Sequence, residues 1–119
     1  MSDPDKSNFN IIIREIIKKS LFTERQIEII LKQKKLLDVE FGVSKGAYYR
    51  QLAQSRSKVE SVYYTLILLQ AYDVILPDSD VISRLAEQVN VMKDSGFAPE
   101  NEDQIMNVIQ KAVKQLVNM

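Results

Sequence analysis

The chain predicts an all-α protein: a helix-turn-helix-like N-terminal half, a long central helix and a C-terminal helical part suited to dimerisation. Three observations carry this. Apolar residues recur at i, i+3, i+4 and i+7 through nearly every segment. Thr23 and Ser44 stand as N-cap residues in front of two such runs. Only three glycines and three prolines interrupt the 119 residues, and Pro77 marks a break between helical runs. This length and 45% apolar content predict one compact domain over residues 1–119, with 20–60 as a reader and 60–119 as scaffold and dimerisation helices.

The first helix is read from Phe9, Ile12, Ile13, Ile16 and Ile17, which share one face, with Arg14, Glu15, Lys18 and Lys19 on the other. Its isoleucines lower helix propensity, and burial of the stripe should override that. A short strand at residues 11–13 is the alternative. The second helix starts at Thr23. Thr23 and Gln26 have capping-box spacing, Phe22 and Ile27 can form a staple, and Ile27, Ile30 and Leu31 supply the buried stripe. Lys32, Lys34 and Lys35 complement the C-terminal end of the dipole or contact phosphate.

The third helix is predicted from residue 44 to about residue 76, unusually long for a globular helix. Tyr48, Leu52, Ser55, Val59, Val62, Leu66 and Leu69 step by four and three, as in a coiled-coil seam. Up to Lys58 the helix is polar. From Val59 onward it is apolar on nearly every side, which predicts that other helices or a second copy surround it. Residues 77–80 read as a turn with capping chemistry. A fourth helix follows with Val81, Ile82, Leu85, Ala86, Val89 and Met92 on one face and Gly96 as a C′ residue. Acidic residues between Pro99 and Asp103 suit the positive end of a fifth helix, whose stripe is Ile105, Ile109, Ala112, Val113 and Leu116.

Composition narrows the function. With no histidine and no cysteine, imidazole acid–base chemistry, nucleophile–His dyads and the usual zinc sites are excluded. Three glycines do not make a phosphate loop. An enzyme is therefore not expected, nor are a cofactor, a metal or a membrane span; the start of the chain lacks signal-peptide features, which favours the cytoplasm. Net charge is zero but uneven. Residues 14–58 hold eleven cations and five anions, a net +6, whereas residues 59–119 hold four cations and nine anions, a net −5. Such asymmetry points to a polyanion-facing half, or more blandly to a dipolar globule.

The segment 42–52 is a turn that delivers a helix. Gly42 can take a positive φ, Ser44 can cap, and Val43 can pack on Tyr48 as a staple. Together, Thr23-Glu24-Arg25-Gln26 and the later Gly42-Val43-Ser44-x-Gly46-x-x-x-Arg50 resemble sigma-factor region four and archaeal regulators with sigma-like helix-turn-helix domains. The likeness covers residues 20 to 60, about a third of the chain. Members of that group carry a distinct helix between the two signatures, with a small residue near its middle. Only residues 34–41 are available for it here, and Asp38 sits where the small residue belongs, so that helix is short, fused to its predecessor or absent.

The resemblance implies a transcription regulator that binds double-stranded DNA, with the first turns of the third helix in the major groove. Lys45, Arg50, Gln51, Gln54 and Lys58 are the expected contacts. Gln pairs bidentately with adenine and Arg with guanine, while Lys45 and Lys58 suit phosphates. Gln51, Gln54 and Lys58 are expected to share a stripe. Tyr48 is expected to turn inward and Tyr49 to flank the site near a phosphate. A homodimer through the second half of the long helix is the expected assembly. A helical adaptor that binds a protein partner is the competing function.

Overall fold

In the computed structural model, residues 7–75, 80–96, 98–117 and 119 are described. They form five helices in chain order: α1 (Ile11–Lys19), α2 (Glu24–Gln33), α3 (Lys45–Ala71), α4 (Val81–Met92) and α5 (Pro99–Val117). No strand occurs among the described residues. The fold is therefore all-α, with a third helix of 27 residues as the longest. No described helix is long and apolar enough to cross a membrane.

Where the sequence suggests one domain, the chain divides into two compact units. Unit 1 takes in Met1–Ile16 with Leu69–Met119, and unit 2 is Ile17–Leu68. The boundaries fall inside α1 and near the end of α3.

In unit 1, Ile12 and Met106 are the buried side chains. Asn10 organises the start of α1. Its Oδ1 accepts from the Ile13 backbone N–H at 3.0 Å, an N-cap bond. Its Nδ2 donates to the Met92 and Ser95 carbonyls at 2.7 and 2.9 Å, just where α4 runs out of intrahelical partners. This explains why Gly96 is not the C′ residue the sequence suggests. No glycine has a positive φ, and a side chain from α1 satisfies the orphan carbonyls instead. At the other end of α4, Asp80 makes no side-chain cap bond; its carboxylate pairs with Arg84 at 3.0 Å on an exposed surface, where such pairs contribute little. The rest of the expected turn, residues 76–79, lies outside the described residues. Helix α5 opens on Pro99, a favourable first-turn position, with Glu100 and Glu102 at its positive end.

In unit 2, Ile17, Ile29, Leu52 and Ser55 are buried. The capping box forms as its spacing predicts: the Gln26 N–H donates to Thr23 Oγ1 at 3.2 Å and the Thr23 N–H to Gln26 Oε1 at 3.0 Å. The predicted seam of α3 is also real. Leu52 and Ser55 are buried, and Tyr48, Val59, Val62 and Leu66 are half-buried. Ser55 closes its own hydroxyl onto the Gln51 carbonyl at 2.9 Å, so a polar residue sits in the seam without an unmet donor. The buried line of α2 is rotated from the expected one. Ile29 is fully buried, while Ile27, Ile30 and Leu31 are half-buried.

The second half of α3 is not surrounded as its composition suggests. Tyr63, Tyr64, Ile67 and Leu68 are 64, 74, 64 and 56% exposed, because the seam side alone is covered. The helix also ends earlier than expected, at Ala71. Asp73 takes φ 60°, its N–H donates to the Gln70 carbonyl, and the Val74 N–H donates to the Leu69 carbonyl. Helix α2 ends the same way, with Lys35 at φ 60°, Lys35 N–H to Lys32 and Leu36 N–H to Leu31. Both are Schellman closures without glycine; Asp73 is a residue type that tolerates the left-handed region, whereas Lys35 is one that resists it.

Two stability changes follow. Asn10→Ala removes one helix cap and strands two α4 carbonyls, so urea denaturation should show a loss of about 1–3 kcal/mol. Lys35→Gly relieves a left-handed non-glycine residue and should raise the midpoint, by about 1 kcal/mol in stability.

Candidate nucleic-acid interface

The head of α3 is built from its cap outward. Ser44 Oγ accepts from the Ala47 N–H at 3.2 Å, and the Tyr48 N–H donates to the Ser44 carbonyl at 3.0 Å. The helix therefore starts sharply without help from Gly42, whose φ is not positive. Upstream, none of the eleven residues 34–44 is helical, so the separate helix of the sigma-like motif is absent. A tight helix-turn-helix uses a turn of about three or four residues, and here a longer connection takes its place.

That connection is pinned by one ring. Phe41 stacks on Tyr48 with centroids 6.0 Å apart, and the Arg25 guanidinium lies 4.5 Å from the Phe41 centroid. The Lys32 ammonium lies 5.3 Å from the same ring and donates to the Val39 carbonyl at 2.7 Å. Tyr48 also donates from its hydroxyl to Gln33 Oε1 at 3.2 Å. Arg25, Lys32 and Phe41 thus set the entry to α3. Sequence spacing does not connect them, although a lone aromatic in a polar loop is the signal that could have. Tyr48 turns inward as expected, and Tyr49 meets it edge-on while staying 53% exposed. An open cleft of about 170 Å³, lined by Lys32, Phe41, Lys45, Tyr48 and Tyr49 among others, lies against this head.

Burial sorts the expected contacts into two groups. Lys45, Tyr49, Arg50 and Gln54 are exposed, and so is Arg56. At 3.6 residues per turn they spread over one half of the helix circumference, from Lys45 and Arg56 on the flank of the seam beside the Leu52 line round to Arg50 and Gln54 on the far side. Gln51 and Lys58 are half-buried beside the seam, so the expected Gln51–Gln54–Lys58 stripe straddles the solvent boundary rather than lying in the open. Lys58 Nζ donates to Gln26 Oε1 at 3.0 Å and lies 5.7 Å from the Phe22 ring. Gln51 Oε1 is buried and has no hydrogen-bond partner. Lys58 thus ties α3 to Gln26 of α2, and Gln51 stays half-buried beside the seam.

The charge division follows the structural units. Unit 2 holds ten cations and five anions, a net +5, and unit 1 holds six cations and eleven anions, a net −5. From residue 41 to residue 59 there is no acid at all, against Lys45, Arg50, Arg56 and Lys58. Among the described residues, no group of three or more acidic, His or Cys side chains is arranged to hold a metal ion. Comparison with known proteins finds no family model that matches the chain, and no similar curated protein or solved structure.

The packing role of Lys58 is open to a double-mutant cycle. Lys58→Met and Gln26→Ala should each destabilise unit 2 by about 1–2 kcal/mol in denaturant titrations, with the double variant costing less than their sum. Strict additivity would mean that the hydrogen bond contributes nothing.

Proposed function

We propose that the protein is a DNA-binding transcription regulator that presents the outer side of α3's first turns to the major groove. One observation carries the reading: an exposed helix face bearing Lys45, Arg50, Gln54 and Arg56, with no acid between residues 41 and 59. A major groove about 12 Å wide admits a single α-helix, and a basic, acid-free face meets the phosphates on either side of it. Arg50 and Gln54 are the base-reading candidates. Lys45 and Arg56 suit phosphates, and Tyr49 flanks them. Lys58 and Gln51, which join the seam, hold the helix in place rather than reach DNA. The competing role, a helical adaptor for another protein, draws on the exposed apolar residues farther along α3.

Fluorescence anisotropy with mixed-sequence duplex at two salt concentrations tests the reading. Affinity should fall steeply with salt, as counterion release requires. Lys45→Ala should flatten the salt slope by about one unit, whereas Arg50→Ala should cost about 1–3 kcal/mol and relax sequence preference. A Lys45→Ala/Arg50→Ala/Arg56→Ala variant that stays folded and binds like the parent would displace the site. No binding by the parent at low salt would leave the adaptor role.

A further inference from the structure

The outer side of α3 changes character along its length. Its first turns carry Lys45, Arg50 and Arg56, and farther on the same side carries Tyr63, Tyr64, Ile67 and Leu68. Those four side chains all belong to unit 2 and are 64, 74, 64 and 56% exposed. At about 200 Å² for a large side chain, they leave roughly 500 Å² of largely apolar surface in one cluster. That is at the upper end of the largest patch a typical monomer shows, about 300–600 Å². We propose that a second copy of this chain covers the Tyr63–Tyr64–Ile67–Leu68 face.

Two features favour a second copy as the occupant. The first is area. Two such faces together approach the roughly 1,000 Å² that a specific interface needs before its rim is added. The second is charge. Residues 61–72 contain no charged side chain, and the exposed residues bordering the face on its N-terminal side are one cation, Arg56, and one anion, Glu60. A basic or acidic partner would find nothing to pair with across the centre. A copy of the same face brings apolar surface to apolar surface and leaves no charge from residues 61–72 buried without a partner. Each chain is neutral as a whole, and the +5 of the unit that carries the face is borne on residues outside the 61–72 stretch.

The pairing deepens the DNA-binding reading, on which only its functional consequence rests. From the centre of the apolar face to the centre of the basic head is about 15 residues, or about 22 Å at 1.5 Å per residue. Two such arms reach up to about 45 Å apart, which spans the roughly 34 Å between successive major-groove faces. A single head offers few base contacts, and the second copy supplies the other half-site.

Sedimentation of the full chain without DNA tests the pairing, so its outcome is independent of whether DNA binds. The parent should sediment at twice the 13.7 kDa of the chain at micromolar concentration and dissociate on dilution. Tyr64→Glu with Ile67→Glu should sediment as a monomer with parental helicity by circular dichroism. Val91→Glu, at an 80% exposed position of α4, should remain a dimer. Should the glutamates unfold the chain, Tyr64→Ser with Leu68→Ser gives the same readout. A monomeric parent, or a folded face variant that remains dimeric, overturns the proposal. A dimeric parent that binds no DNA leaves the pairing standing and removes the DNA reading instead.

Discussion

The amide oxygen of Gln26 is the point on which unit 2 depends. It accepts from the Thr23 N–H, which closes the start of α2, and from the Lys58 ammonium, which reaches it from the middle of α3. One acceptor thus couples a local capping box to a contact 32 residues away in sequence. The Phe22 ring lies under the same ammonium, so the charge is held by an oxygen and a π face together. With α3 anchored there, the cluster of Phe41, Tyr48, Arg25 and Lys32 sets how the connection enters the helix. The orientation of α3, and so the choice of which side chains face water, follows from these two fixings.

Asn10 plays the corresponding part in unit 1. Its side chain begins α1 with its oxygen and closes α4 with its nitrogen, using both N–H donors and accepting one bond at Oδ1. In unit 1 a side-chain amide from another helix does what a local C-cap does in simpler helices, whereas in unit 2 the Gln26 amide adds the Lys58 contact to its own capping box. The ends of α2 and α3, by contrast, close locally, with Lys35 and Asp73 in the left-handed region.

The outer side of α3 is where these constraints meet the proposed function. Because the seam takes Leu52, Ser55 and the half-buried residues around them, everything opposite is left to solvent. That leaves an acid-free basic stretch and an uncharged apolar stretch in series on one helix of 27 residues. The former fits a polyanion and the latter a second apolar face. The net +5 of unit 2 stands against the net −5 of unit 1.

Helix count, the Thr23 and Ser44 caps, the α3 seam and the acidic start of α5 were legible because each depends on residues within a few turns of one another. The inward turn of Tyr48 and the exposure of Arg50, Gln54 and Lys45 followed from the same periodicity. The half-burial of Lys58 and Gln51 was not legible, because a polar side chain beside a seam looks the same in sequence whether it faces water or, like Lys58, meets Gln26. Val59 to Leu69 looked like a surrounded spine because composition counts apolar residues without saying how many neighbours are available to cover them. The sequence by itself determined the helices and their buried seams, since 3.6-residue periodicity and capping are local. Only the tertiary structure decided how the end of α4 is satisfied, which polar groups turn inward and which apolar face stays open, since those depend on donors and surfaces brought together from distant parts of the chain.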